Sequence, residues 1–329
     1  MLAQKLLSGG GEADPTYVED VFKAYARTGT GTDVTITSGI DMTKGYMLWS
    51  KRRNGATAHA IYDSARGVTL DLASNSTNGQ TTQANGLKSV SATGYTIGSL
   101  STMNASTATY VNFIFRKAPK FFDVVTYTGD GVYTPRLISH SLGVAPGLII
   151  IKRTNGVGNW NIWHRSLIDA TGSNSNDLAF DSGPSDNHFI FSPGASQTSS
   201  VFGISGGSTS VNNISDTFVA YLFAHDSSAN GIVQCDSFMT DGSGNATVNH
   251  GWAAGVQFVM IKSSSATGDW EMFDKARSSW SSNSDARLLA NLSSTEDYVT
   301  RLSASGTSVT FTGLSTSSTY IYLLIVSPT

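Results

Sequence analysis

Three segments of this chain repeat one phrase, an apolar strand that ends in lysine. They are residues 46–51 (YMLWSK), 147–152 (GLIIIK) and 257–262 (QFVMIK), and their lysines stand 101 and 110 residues apart. A period of about 100 residues is long enough for a whole small domain. The chain is therefore predicted to consist of three diverged copies of one unit.

Aromatic residues follow each lysine at fixed offsets. His59, Trp160 and Trp270 stand eight residues after their lysines. Another aromatic residue stands eleven residues after each: Tyr62, Trp163 and Phe273. A closing strand rich in β-branched and aromatic residues ends every copy, at residues 109–115, 217–223 and 319–325. Repetition at one register indicates a shared framework.

The opening of the first copy has two interpretations. Asp14 and Pro15, followed by spaced apolar residues, look like a capped amphipathic helix. The matching residues 122–127 of the second copy read as a strand, and copies of one unit share their secondary structure. We therefore predict a strand over residues 20–25, matched to 123–127 and, more weakly, to 232–238.

Many short strands separated by Gly, Asn, Ser and Asp turns predict an antiparallel sandwich in each copy. The expected fold class is all-β, with three tandem antiparallel β-sandwich units of jelly-roll-like form. The predicted boundaries are an N-terminal arm at 1–19 and units at 20–118, 119–227 and 228–329. The connections at 118–119 and 227–230 are short, which predicts a stiff rod or a compact triangle of units.

Composition argues against several functional classes. Charged residues make up 14% of the chain, the net charge is −3 and the pI is about 6.0, so no basic footprint for nucleic acid is present. Cys235 is the single cysteine, which excludes an intramolecular disulfide. The apolar runs fall short of the roughly 18 residues that span a bilayer. Gly9 to Gly11 interrupt the N-terminal apolar run before a secretion signal could form.

Several short motifs admit a chemical and a plainer interpretation. Residues 203–207 match G-x-S-x-G, but the strand and helix that a nucleophile elbow needs are not predicted around them. His140 and His250 stand twelve residues before their lysines, and capping a turn is the favoured role over metal binding. Residues 241–245 begin like a calcium loop without its downstream glutamate, and a turn is favoured. No catalytic residue, metal or cofactor is predicted.

Two Asp/Arg pairs recur after the second aromatic strand. Asp63 with Arg66, and Asp274 with Arg277, could bind carbohydrate beside the neighbouring aromatic residues. The alternative is a salt bridge that fixes the turn. The second copy has His164 and Leu167 there, so the pair is not essential to the unit and the structural interpretation is favoured. Trp160 and Trp270 are likewise predicted to lie in the core.

Repeated strand phrases across nearly the whole chain resemble tail-fibre and related virion proteins of tailed phages, especially cyanophages and other aquatic phages. The segments that carry this resemblance are residues 14–22, 48–53, 63–67, 115–129 and 138–143, together with His59. The resemblance implies a virion protein, most simply in the tail, made in the host cytoplasm. It also implies a homo-oligomer, with a trimer as the usual fibre state.

The predicted function is a tail-fibre or baseplate-associated protein that mediates host-surface adsorption by binding, without enzymatic activity. The alternative is a capsid decoration or tail scaffold protein that binds no receptor. The expected partners are other tail or capsid proteins and host cell-surface polysaccharide, with no nucleic acid and no membrane insertion. Ligand-binding residues are expected in the loops that differ between copies: Ser173, Asn174, Asn176, Asp186, Trp280 and Asn283.

Overall fold

The computed structural model describes residues 16–167, 178–180, 190–191, 197–228, 230–280 and 284–328. Within these ranges, no helix is long and apolar enough to cross a membrane. Nearly all the regular structure is antiparallel β-sheet, which confirms the predicted all-β class.

The first unit is formed from short strands with two single-turn helices. Its elements are α1 (Val18–Val21), β1 (Phe22–Thr28), β2 (Val34–Thr37), a 3-10 turn (Met42–Lys44), β3 (Tyr46–Arg52), β4 (Ala60–Asp63), β5 (Gly67–Leu72), β6 (Thr81–Thr82), β7 (Leu87–Ser91), β8 (Gly94–Ile97), α2 (Ser101–Asn104) and β9 (Thr109–Arg116).

The second and third units repeat this order of elements with local differences. The second unit holds β10 (Phe122–Thr128), β11 (Arg136–Ser139), β12 (Pro146–Arg153), β13 (Trp160–His164), β14 (Leu178–Ala179), β15 (Val201–Ile204), α3 (Thr209–Asn212) and β16 (Thr217–Ala224). The third unit holds β17 (Val233–Met239), β18 (Ala246–Asn249), β19 (Val256–Ser263), β20 (Glu271–Asp274), β21 (Asp285–Leu289), β22 (Asp297–Val299), β23 (Leu302–Ser305), β24 (Ser308–Phe311) and β25 (Thr319–Val326).

Each unit has one large and one small sheet. The large sheets have the strand orders β1-β9-β3-β4-β5-β6, β10-β16-β12-β13-β14 and β17-β25-β19-β20-β21-β22. The small sheets are β2-β8-β7, β11-β15 and β18-β24-β23. In all three large sheets the lysine-ended strand pairs with the closing strand on one side and the aromatic strand on the other. The repeat seen in the sequence is thus a repeat of sheet topology.

Strand register confirms the alignment of the lysine-ended and closing strands. The pairs opposite one another are Met47 with Phe115, Leu148 with Phe223, and Phe258 with Ile325. Each of these pairs occupies the same place in its sheet, four residues before the lysine.

The opening of the first unit differs from the prediction. A single helical turn covers Val18–Val21, and the strand begins only at Phe22. Val18 and Val21 are both buried, so the apolar spacing serves a helical turn first and a strand afterwards. Register also matches Phe22 to Phe122, so the alignment of residues 20–25 with 123–127 was wrong.

The inner faces of the three large sheets meet in one shared core. The Phe115 ring contacts Phe223 of the second unit at 5.3 Å and Phe258 of the third at 6.0 Å between ring centroids. His164 of the second unit binds the Tyr322 carbonyl of the third at 3.1 Å. Every unit therefore touches the other two, which confirms the compact triangle and excludes the rod.

The outer face of the first large sheet packs on its own small sheet and forms a separate cluster. Leu48 and Ile114 of the large sheet meet Tyr95 and Ile97 of β8 there. Alternation of side chains along a strand divides the two faces, so neighbouring residues Met47 and Leu48 serve different cores. Both faces of the sheet are buried.

The ring of units has two different ends. The strand ends that follow the lysines, with the hairpin turns at 53–59 and 154–159, lie at one end, which we call the loop end. The opening strands begin and the closing strands finish at the other. Because residue 16, residue 328 and the connections between units adjoin those strand ends, we call this the terminal end.

Candidate functional site

The three junctions between units repeat one hydrogen bond. In each, the ring nitrogen of the residue eight positions after the lysine bonds to a backbone carbonyl of the neighbouring unit. The bonds join His59 to Leu289 (3.0 Å), Trp160 to Ala73 (3.1 Å) and Trp270 to Ala179 (3.0 Å). The ring therefore closes head to tail, with the first unit bound to the third.

The acceptor residues occupy equivalent places. Each follows a leucine that pairs with the aromatic strand ten residues after the lysine: Leu72, Leu178 and Leu288. Because the acceptors are backbone carbonyls, their side chains are free to differ between units.

His59 serves as a donor in the manner of tryptophan. Its Nδ1 accepts a hydrogen bond from Trp49 Nε1 at 2.8 Å. The proton must then lie on Nε2, which donates to the carbonyls of Leu289 and Leu292 at 3.0 and 3.1 Å. Burial, with a contribution from nearby Lys51, lowers the pKa of His59 to about 3. The ring is neutral at physiological pH.

Two of the three repeated lysines, Lys51 and Lys152, are buried at junctions between units. Lys152 Nζ donates to Thr77 O of the first unit and to Gly158 O, both at 2.9 Å. Lys51 Nζ donates to Ser293 O of the third unit at 3.3 Å and to Arg52 O at 2.9 Å. Burial is the main cause that lowers the pKa of both lysines to about 8.

A backbone hydrogen bond extends two of these junctions towards the loop end. Gln80 N donates to Thr154 O at 2.7 Å, and Glu296 N donates to Arg53 O at 2.8 Å. A Cβ added to Gly79 would lie 2.7 Å from Thr154 O, so this approach requires a glycine. The hairpin turn of one unit thereby pairs with the long loop of the previous one.

The junction between the third and first units, which no linker spans and which we call the closing junction, carries an additional ion pair. Glu296 accepts two hydrogen bonds from Arg53, at 2.7 and 2.8 Å, and one from Arg277 at 3.0 Å. The two guanidinium groups hold the pKa of Glu296 below its usual value, although burial opposes them and is the largest single influence. A bidentate pair fixes geometry as well as charge.

The Asp/Arg pairs are structural. Asp63 and Arg66 lie 2.6 Å apart, as do Asp274 and Arg277, and all four side chains are almost fully buried. Tyr221 of the second unit donates to Asp63 at 2.7 Å. The carbohydrate interpretation of these pairs is wrong because solvent does not reach them.

His164 replaces the aspartate in the second unit. Its Nδ1 accepts from Ser166 N at 3.2 Å, where Asp63 accepts from Ala65 N at 3.0 Å. Its Nε2 bonds to Tyr322 O of the third unit. Burial lowers the pKa of His164 to about 4, so a neutral histidine supplies the same turn acceptor.

The other histidines and aspartates confirm the turn interpretations. His140 Nδ1 accepts from Leu142 N, and His250 Nδ1 from Trp252 N, both at 3.1 Å. Asp241 Oδ1 accepts from the backbone of Ser243 at 2.8 Å. Among the described residues, no cluster of His, Cys, Asp and Glu could hold a metal ion.

Of the predicted ligand-binding residues, the structure places only Trp280. Its ring is 1% exposed, with the Lys275 ammonium 5.7 Å from the ring centroid. It therefore offers no open aromatic platform. The other five, Ser173, Asn174, Asn176, Asp186 and Asn283, lie outside the described residues, and their role remains a prediction.

The described residues form a cleft at one end of the ring and two smaller hollows at the other. At the terminal end, a cleft of about 460 Å³ lies between α1 and the third unit, with Tyr17 and Trp252 among its lining. At the loop end of the second unit, two smaller hollows adjoin Asn159. Sequence reasoning did not find the latter, because Asn159 stands in a turn without a recognisable motif.

A family model matches most of the chain. The family model described as "Domain of unknown function (DUF7483)" matches residues 18–326. No curated protein shows significant similarity. Among solved structures, that described as "Crystal Structure of the STIV MCP" is 10% identical, over 92% of this chain and 96% of that one, with a TM-score of 0.18. A likeness at that level carries no argument.

Proposed function

The chain belongs to the DUF7483 family of domains of unknown function, and we propose that it is a non-enzymatic structural protein of a tailed-phage virion. The resemblance of its strand phrases to virion proteins supports this role. The ring of three units is its working form.

The observation that carries the proposal is that the repeated polar side chains bond to other parts of the chain itself. The lysines, the ring N–H donors and the Asp/Arg pairs are the chemically functional groups that recur in the units. They bind carbonyls and carboxylates inside or between units. Their repeated function is therefore to hold a rigid block together, since each junction bond contributes about 1 kcal/mol and the bonds act together.

Within the virion, we propose a tail-fibre or baseplate position in which the ring adsorbs to the host surface. Residues 16 and 328, where the described chain begins and ends, adjoin the terminal end, so the proposed arm at residues 1–19 attaches on that side and the loop end faces outwards. Because the units stand side by side, all three take part in both ends of the ring.

Capsid decoration or tail scaffolding is the second candidate, and one observation favours it. Trp270 and Trp280 of the third unit are buried, so neither offers an open aromatic platform for a sugar. Large buried surfaces on all three units suit a structural role. In this alternative the loop end contacts other virion proteins.

A homotrimer of chains remains a proposal carried by the resemblance. Each chain already arranges three units about one axis, so a trimer would contain nine units. Sedimentation equilibrium of the purified chain would distinguish a single ring from a trimer.

Electron microscopy of particles carrying a C-terminal tag tests the proposed position. Label at the tail tip or fibres supports adsorption, whereas label over the capsid supports the decoration role. Absence of the chain from purified particles would overturn both. An unchanged chain length of host polysaccharide after incubation with the pure protein is expected, and shortened chains would contradict the non-enzymatic role.

A further inference from the structure

Two hollows at the loop end of the second unit meet at one residue. The first, of about 110 Å³, lies between the first and second units and is lined by Asn75, Thr77, Phe180 and others. The second, of about 270 Å³, lies between the hairpin turn and α3 and is lined by Ser210 and others. Asn159 lines both. We call the two adjoining hollows, with Asn159 between them, the groove.

The groove is lined mainly by hydroxyl and amide side chains. Thr209, Ser210 and Asn159 are exposed. Among the described residues, no hydrogen-bond partner is found for the Asn159 carboxamide, whose backbone carbonyl accepts from Asn161. Its donor and acceptor are therefore available to a ligand.

Both ends of the groove carry apolar side chains. At the inner end, Phe180 lies against Trp160 and Trp270, with ring centroids 5.5 and 5.4 Å apart. At the outer end, Val157 is 68% exposed. Apolar surface at both ends and hydrogen-bonding groups between them suit a ligand that has both C–H faces and hydroxyl groups.

Charge narrows the class of ligand. Arg153 is the charged residue of the lining, and its guanidinium is paired with Asp216 at 2.6 Å. An anionic ligand would have to compete with that carboxylate. The groove therefore favours an uncharged ligand.

The framework of the repeat does not require these polar residues. Helices α2 and α3 occupy the same place in their units, and the equivalent of Asn213 after α3 is Ala105 after α2. Asn159, seven residues after Lys152, corresponds to Ala58, seven after Lys51. The same fold thus forms with alanine at both places.

We propose that this groove is a binding site for an uncharged oligosaccharide, at the junction of the first and second units. Asn159 lies at its centre and hydrogen-bonds the sugar hydroxyls. Ser210 contacts the next sugar ring, together with the Oδ1 of Asn213, whose amide nitrogen already donates to Asp216 at 2.7 Å. The inference rests on the proposed function, because it identifies the surface with which an adsorbing virion protein would bind its host.

Purified full-length chain is tested on a printed array of neutral and acidic bacterial oligosaccharides. The strongest neutral binder is then titrated calorimetrically into Asn159→Ala and Asn159→Ala/Ser210→Ala. Losing one or two hydrogen bonds at the site is expected to weaken binding about tenfold in the single variant and more in the double one. Asn249→Ala, at an exposed residue of β18 in the third unit, is the matched control and should bind like the unmodified protein.

Stability is measured on the same variants. Because the first unit carries Ala58 at the equivalent place, Asn159→Ala should unfold at the same temperature as the parent, so that weaker binding reports the site and not the fold.

The outcomes test separately the position of the site, the charge of the ligand, its saccharide nature and the virion role. Unchanged affinity in the double variant would overturn the groove. Preference for acidic glycans would overturn the uncharged class, and retention of no glycan would overturn the saccharide. Failure of the groove proposal leaves the virion role intact if the tagged protein is found on particles. The virion role fails if the particles lack the chain.

Discussion

Replacing Lys51 by methionine should change how stability depends on pH. Methionine keeps the apolar stem and removes the buried ammonium, whose pKa is lowered from 10.5 to about 8. Below pH 8 the Lys51 amine is charged in both the folded and the unfolded chain. The folded state there bears the full free-energy cost of burying the charge. Between pH 8 and 10.5 the unfolded chain binds more protons, so stability rises with pH.

The magnitude follows from the shift. At about 1.36 kcal/mol per pH unit the full shift corresponds to about 3 kcal/mol, and partial screening by solvent reduces it to about 1.5–3 kcal/mol. At pH 7, Lys51→Met removes this cost but deprives Arg52 O and Ser293 O of a donor, at about 1 kcal/mol each. The two effects offset to within about 1 kcal/mol.

Urea unfolding followed by tryptophan fluorescence measures the difference at pH 7 and pH 10. The unmodified protein should gain about 1.5–3 kcal/mol relative to Lys51→Met between these values. The control is Lys44→Met, at a side chain that is 63% exposed. Its free energy of unfolding should differ from that of the parent by the same amount at pH 7 and at pH 10. If the free energy of unfolding changed equally in the parent and in Lys51→Met between pH 7 and pH 10, the assignment of a desolvated, charged amine to the junction would be refuted.

Three other outcomes are expected. Glu296→Gln should destabilise the closing junction by about 3 kcal/mol at pH 7, because it leaves Arg53 and the buried Arg277 without their shared carboxylate. Since the pKa of Glu296 is lowered in the folded state, this loss should be present above about pH 4.5 and shrink on acidification, and equal losses at pH 3 and pH 7 would contradict it. Trp160→Phe removes the donor to Ala73 O and Ser76 O and should cost about 1–2 kcal/mol by urea unfolding; no loss would mean that the bond does not hold the junction. Tyr221→Phe, which removes the donor to Asp63, should cost about 1–3 kcal/mol in the same assay, and a neutral result would dismiss that contact.

The repeat could be predicted from the sequence because it resides in side-chain pattern. The order of apolar and polar side chains along a strand sets which face is buried and how neighbouring strands pair. The lysine-ended, aromatic and closing strands were therefore identified in their correct register. The opening strand was misaligned because Val18, Val21 and Phe22 satisfy a helical turn and a strand at once. Local apolar spacing cannot separate the two over so few residues.

The junctions could not be predicted in the same way. A lysine at the end of an apolar strand was recognised as part of the framework, but its partners are carbonyls such as Thr77 O and Ser293 O. Backbone acceptors carry no residue-specific signal. The repetition of a buried lysine beside a ring N–H donor was the available clue, since a buried ammonium requires acceptors nearby.

The covalent fusion of the three units affects how the protein can acquire specificity. A ring of three identical chains would have to present every surface change three times, whereas here Asn159 faces one junction and Ala58 stands at the equivalent place in another. One junction can then diverge towards recognition while the others retain the bonds that keep the ring closed. The proposed groove then occurs once in each ring, so that firm attachment through it must come from the number of rings that a particle displays.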